Sequence, residues 1–327
     1  MRRVLLILAP AACAALVWWA LGQGLTEASA AERLDALWPG ASADPVAARL
    51  EALRLPRIGA ALLAGAMISA SGLLLQVVAR NGLADPGLLG VSQGGVLAIL
   101  AGAALFDLPR AALVPAGLFG AMATAAAVLL AARRSLAGGG LILVGIAVNL
   151  LLGSVTELIM TSGGMAQYAR LAVWSRGSLA GVSAADLALL AAWAAVLLPL
   201  ALLSGRWLDP LLLGDDTARS LGIETRLLLP VLVLLAAALA APVVAVCGPV
   251  SFLGLIAGHV ARRLTGGRMT VVLPGAMLTG SCVLLAADTA GRSLMPPVAV
   301  PAGIATSVGG FLVFVFAARL SQRGPAA

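Results

Sequence analysis

At 327 residues, with 61% hydrophobic residues, 11% charged residues and a mean hydropathy of +1.05, the chain lacks the polar surface that a water-soluble domain needs. Its formal charge of +7 comes from arginine alone, since lysine is absent, and the arginines gather at the ends of apolar runs. That pattern signals lipid headgroups and topology, not nucleic acid.

About ten apolar stretches follow one another, each long enough to cross a hydrocarbon layer about 30 Å thick. The expected spans are Val4 to Leu21, Ile58 to Val78, Leu88 to Leu105, Leu113 to Ala132, Leu141 to Met160, Leu187 to Leu203, Leu227 to Val246, a shorter Pro249 to Val260, Val271 to Ala287 and Val298 to Ala317. The first could be read as a signal peptide, with Ala28-Ser29-Ala30 as a cleavage site, but its apolar run is longer than a usual signal core and favours an uncleaved span. No polar connection is long enough for a soluble catalytic domain. The fold class expected is therefore all-α, one polytopic membrane domain over 1–327, and not an enzyme.

Placing the N-terminus inside puts 13 of the 21 arginines on inner segments and 8 on outer ones, so both termini are expected in the cytoplasm. Half of the outer arginines, Arg33, Arg49, Arg54 and Arg57, lie in the loop after the first span. Small residues fill the spans, with G-x-x-x-G at Gly90/Gly94, Gly177/Gly181 and Gly254/Gly258, as close helix packing in lipid requires.

Few positions could carry chemistry. Gly90-Val91-Ser92-Gln93-Gly94 matches the G-x-S-x-G pattern of hydrolases, but no strand precedes it and the single histidine, His259, is the only candidate base. A small-residue helix face explains the same letters. His259 has no partner at metal-ligand spacing, and Cys13, Cys247 and Cys282, each set in apolar sequence, read as packing thiols; no metal site is expected. Glu157 is the acid placed furthest inside a span. The scarcity of such carboxylates weighs against a proton-coupled secondary transporter, which remains the alternative function.

Two connections stand out. Between the second and third spans, Asp85 can cap the next helix and Pro86 fits its first turn. Leu211 to Gly222 reads as a short amphipathic helix, with Asp215 and Asp216 near its start, Arg219 later and Gly222 as its C-terminal cap. A helix that short needs a support, either the lipid surface or a cytoplasmic partner.

Arg54-Leu55-Pro56-Arg57, Arg80 to Val91, Gly177-Ser178-Leu179, Leu213 to Gly222, Gly248 to Ile256 and Ala287-Asp288-Thr289 occur in an order, over nearly the whole chain, that resembles the FecCD family of ABC-importer permeases. That family takes up iron-siderophores, haem and cobalamin. The resemblance implies a compact bundle of ten spans that pairs with a second permease chain, identical or paralogous, around a central pathway. It also implies two cytoplasmic ATPase subunits and an extracytoplasmic substrate-binding protein. No cofactor is expected on this chain, and ATP and Mg are expected on the partner ATPase, in keeping with the absence of a G-x-x-x-x-G-K-[ST] phosphate loop. By resemblance, Leu213, Gly214, Asp215, Asp216, Ala218, Arg219, Ser220, Leu221 and Gly222, within about 209–222, form the ATPase-coupling element. Arg54, Arg57 and Arg292 match arginines that dock the binding protein, with headgroup anchoring as the other reading. Asn149 and Glu157 fall on the pathway-lining helix, where a packed polar role is equally open. The chain departs from the family at Gly82, at Gly258 and at Val300-Pro301. The expected function is the permease subunit of an importer for a metal chelate, foremost a ferric siderophore, in the bacterial inner membrane and working by alternating access.

Overall fold

The computed structural model describes residues 2–23, 29–36, 48, 50–133, 139–162, 174–293 and 299–321. Of the arginines counted for topology, Arg49, Arg134, Arg170 and Arg323 lie outside them. The described helices are α1 (Arg2–Gly22), α2 (Ala30–Ala36), α3 (Leu55–Val78), α4 (Val91–Leu105), α5 (Arg110–Ala132), α6 (Gly139–Ser162), α7 (Ala184–Leu212), α8 (Asp215–Ser220), α9 (Thr225–Cys247), α10 (Leu253–Thr265), α11 (Met269–Ser293) and α12 (Ala302–Ser321). A π-helical turn, Leu50–Arg54, leads into α3, and a 3-10 turn, Pro86–Leu89, precedes α4. Ten of these helices correspond to the ten expected spans. Six of them, α3, α5, α6, α7, α9 and α11, are long and apolar enough to cross a membrane.

The centre of the bundle is α3, whose apolar window is 78% buried, flanked by α9 at 61% and α11 at 50%; α6, at 11%, is the least buried of the six. Composition explains the difference. The buried side of α3 is built from Ala60, Ala61, Ala64, Gly65, Ser69 and Gly72, so neighbouring backbones come close. A Cβ on Gly65 would lie 2.5 Å from the Gly280 carbonyl oxygen of α11, and one on Gly72 would lie 2.8 Å from Gly254 Cα of α10. Hydroxyl groups reinforce the crossings, since Ser71 donates to the Ala236 carbonyl and Ser281 to that of Leu62, both at 2.6 Å. By contrast α6 turns Leu143, Leu150, Leu151 and Leu158 outward, as a helix facing lipid or another chain does.

Several boundaries differ from expectation. The seventh helix runs through Pro199 and Pro210 to Leu212, not to Leu203. The segment expected as a span from Pro249 is not helical as far as Ser251, and α10 begins at Leu253 after Phe252, which adopts the left-handed conformation at φ 62°. Of the three G-x-x-x-G pairs, Gly254/Gly258 lies on one helix face, against α3. Gly90 instead ends a 3-10 turn at φ 72°, and Gly177 and Gly181 belong to a connection. Ser29, the middle residue of the Ala28-Ser29-Ala30 sequence, caps α2: Glu32 N donates to Ser29 Oγ, and Ser29 N donates to the Glu32 carboxylate at 2.6 Å.

Candidate transport site and its flanking contacts

α3 separates two polar ends of the molecule. Arg57 lies in its first turn and Arg80 two residues past its last, at opposite ends of a helix about 36 Å long.

At the Arg57 end, the guanidinium meets Asp288 of α11 in a bidentate pair, Nε to Oδ2 and Nη2 to Oδ1, both at 2.8 Å. Arg292, one turn beyond Asp288, donates to the Ala20 carbonyl at 2.7 Å and to that of Gln23, while Arg54 donates to the Leu21 carbonyl at 2.6 Å. Two arginines thus cap the C-terminus of α1, where carbonyls lack helical partners and the helix dipole is negative. Arg54, Arg57 and Arg292 lie at one end of the bundle, and each has a partner inside the protein. Among the described residues, Arg54, Arg57 and Arg292 gather around the carboxylate of Asp288.

Between the ends lies a cavity of about 170 Å³ lined by Leu83, Asp85, Gly87, Ser92, Gln93, Asn149, Pro249, Ser251, Phe252 and Leu255. It forms where two helices too short to cross a bilayer begin: α4, of 15 residues, and α10, of 13. Each follows a break, Pro86–Gly90 in one case and Pro249–Phe252 in the other. Asp85 caps the first break, its Oδ1 accepting from Gly87 N at 2.8 Å, as expected from the sequence. Its other oxygen is buried without a hydrogen bond. Burial pushes the Asp85 carboxyl up to about 6, with the N–H groups of Gly87 and Phe252 pulling the other way. Asn149 lines this cavity and Glu157 does not; Glu157 lies on the exposed side of α6. Ser92 also faces the cavity, but His259 is not among the lining residues, so the hydrolase pattern acquires no base there.

At the Arg80 end, residues 209–212 complete α7, so the short helix read from Leu211 to Gly222 begins only at Asp215. Gly214, at φ 115°, redirects the chain into the six-residue helix α8, and Gly222, at φ 81°, ends it. Both turns need a backbone that residues with a Cβ rarely adopt. The support required by so short a helix comes from Ala218, which is fully buried, and from Arg219, whose Nε donates to Thr225 Oγ1 at 3.1 Å. Asp215 Oδ1 lies 2.5 Å from Arg80 Nη2, whereas Asp216 is exposed and only 3.7 Å from Arg219. Leu212, Leu213 and Leu221 are exposed beside α8. Sequence reasoning missed the role of Arg80 and the partner of Asp288. Its usable signal for Asp288 was a carboxylate in an apolar helix, which must find a cation.

A bundle of bilayer-length apolar helices, interrupted at a polar cavity by two short ones, defines a polytopic membrane transport protein. More particularly, the chain belongs to the FecCD transport family, whose profile matches residues 12–319. It is 39% identical over 276 residues to the Fe(3+)-citrate import system permease protein YfmE of Bacillus subtilis (strain 168), covering 84% of this chain and 83% of that protein. It is 37% identical over 276 residues to the iron(3+)-hydroxamate import system permease protein FhuG of the same organism, covering 80% and 81%. Its fold is similar, at a TM-score of 0.85 and 27% identity over 95% of this chain and 97% of the other, to a transporter described as of the metal-chelate ABC type and solved in an inward-facing conformation. The resemblance seen in the sequence is borne out. Of its departures, Gly82 stands in open space, with nothing within 4 Å of where a Cβ would lie.

Proposed function

We propose that this chain is the permease subunit of an ATP-driven importer for a ferric chelate, a siderophore complex fitting best. The observation that carries this reading is the family match over 12–319, joined to relatives whose names specify ferric citrate and ferric hydroxamate. In this reading 1–327 is one permease domain that pairs with a second copy through the exposed apolar side of α6, in the bacterial inner membrane with both termini cytoplasmic. ATP and Mg act on two cytoplasmic ATPase subunits. α8 with its exposed leucines is the ATPase-coupling surface, and the cavity holding Asn149 is part of the pathway, which opens to alternate sides. Arg54, Arg57 and Arg292 form the surface that meets an acidic extracytoplasmic binding protein, while their internal pairs hold that surface in shape.

The test is co-purification with an ATPase and vanadate-sensitive uptake of radio-iron as ferric hydroxamate into proteoliposomes. Deleting Asp215 to Gly222 is expected to abolish ATPase association while leaving the chain in the membrane. Association with the binding protein should weaken as salt rises, by screening. One observation favours a second reading, a proton-coupled secondary transporter: the buried Asp85 carboxyl sits where two short helices begin. Uptake that survives vanadate and is abolished by a protonophore would select it.

A further inference from the structure

The backbone of Arg80 is left-handed, at φ 48°. It occupies the position just past the C-terminal cap of α3: Arg80 N donates to Val77 O at 3.2 Å and Asn81 N to Gln76 O at 3.0 Å. This is the helix-ending motif in which glycine is the usual residue because a Cβ is strained there. An arginine at this place gains nothing from its backbone, so its value lies in its side chain. That side chain reaches across to α7 and α8, Nε donating to the Leu211 carbonyl at 3.2 Å and Nη2 to Asp215 Oδ1 at 2.5 Å. The pair is a third exposed on the arginine side and about a quarter on the other, a setting in which ion pairs add little to stability.

From Arg80 onward the chain is tied turn by turn to the cavity. Asn81 Oδ1 accepts from Leu83 N at 2.9 Å, Ala84 N donates to Asn81 O at 3.0 Å, Asp85 Oδ1 accepts from Gly87 N, and Gly90 N donates to Gly87 O at 3.1 Å. Leu83, Asp85 and Gly87 are themselves cavity-lining residues. The connection between α3 and α4 is therefore a hydrogen-bonded unit, fastened at one end to the element proposed to meet the ATPase and forming a wall of the cavity along its length.

We propose that Arg80 is a positioning residue that passes displacement of α8 to the Asn81–Gly90 connection, so that the cavity wall follows the coupling element. The inference rests on the reading of α8 as the ATPase-coupling surface. Arg80 touches neither cargo nor nucleotide; it keeps two elements moving as one body.

The experiment uses the full chain reconstituted with its ATPase and binding protein, and measures ATPase co-purification, the hydrolysis rate and ferric hydroxamate taken up per ATP. Arg80→Gly relieves the backbone and removes the side chain. It is expected to keep ATPase association and hydrolysis near the unaltered values while uptake per ATP falls roughly tenfold. The exchange pair Arg80→Asp with Asp215→Arg should recover part of that loss. Nitroxides on Leu83 and Leu213, both exposed, should keep one narrow distance distribution through a nucleotide–vanadate cycle in the otherwise unaltered chain and broaden in Arg80→Gly. An unaltered uptake per ATP in Arg80→Gly overturns the inference, as does loss of ATPase association in that variant, which would make Arg80 part of the docking surface. If the unaltered chain binds no ATPase at all, it is the importer reading that fails.

Discussion

The two ends of α3 use the same chemistry, an arginine facing an aspartate from a distant helix, in opposite ways. At one end Asp288 is 2% exposed, is held by two hydrogen bonds from Arg57 and has Arg292 beside it, so α1, α3 and α11 are fixed together. At the other, Arg80 and Asp215 meet through one hydrogen bond, partly in solvent, on a strained backbone. Removing one partner from a buried charge pair leaves an uncompensated charge, whereas removing one from an exposed pair leaves a group that water can solvate. The first joint is built to hold and the second can be rearranged at small cost. That division suits a transport protein, which needs a rigid frame against which one end moves.

The strongest challenge to this contrast is to break both joints alike. Asp288→Ala strands the Arg57 and Arg292 guanidiniums and is expected to destabilise the chain by about 3–5 kcal/mol, whereas Asp215→Ala should cost no more than about 1 kcal/mol. Thermal unfolding in detergent measures both. Equal losses would mean that the second joint is also structural, and would remove the basis for assigning motion to it.

Asp85 gives a test of intermediate size. Its carboxyl is raised in the folded protein, so the folded state binds the proton more tightly than the unfolded one. The stability this brings is present at low pH and lost as pH rises through about 6. Asp85→Asn keeps a side-chain oxygen for Gly87 N and removes the charge. It should therefore be more stable than the unaltered chain at neutral pH, by at most about 3 kcal/mol, with the advantage vanishing towards pH 4. An advantage that does not change with pH would show that Asp85 does not titrate in this range. Uptake lost in Asp85→Asn despite the added stability would place the carboxylate in the transport cycle itself.

What could be read from the sequence follows how local each cause is. The long helices are legible because the bilayer sets a minimum apolar run, and α8 because its acids, its arginine and Gly222 lie within one short stretch. The caps of α2 and α7 were also there to be read: Ser29-x-x-Glu32 and Ser183-x-x-Asp186 are both capping boxes in the structure. Other features depend on distant partners. The sixth expected span ends at Leu203, yet Asp209 lies inside α7 and accepts from Met269 N at the start of α11 at 2.9 Å. The start of α10 was misplaced because Phe252 takes a backbone conformation that its side chain disfavours, and propensity gives no warning of that. Arg57 and Asp288 are 231 residues apart, a pairing that a single sequence indicates only through the cost of leaving either charge alone in lipid. The family motifs pointed to α8 and to Arg54, Arg57 and Arg292, but not to the internal bonds that hold them.

The smallest expected change in stability is the sharpest test of the difference between the two ends. Gly82 lies in the connection fastened by Arg80, with open space around it, and its φ is not in the positive range. Asn81, before it, is held by its own N–H to Gln76 O and by its side chain to Leu83 N. Gly82→Pro removes freedom chiefly from the unfolded chain, so a gain of about 0.4–1 kcal/mol is expected if the turn accepts the ring. A purely structural turn would show that gain and nothing else. A connection that must change shape as α8 moves would show the same small gain together with slower uptake, because the proline also restricts Asn81. Stability and uptake measured on the one variant separate these outcomes: a gain without loss of rate makes the Arg80 end as static as the Asp288 end, and a gain with loss of rate identifies it as the end that moves.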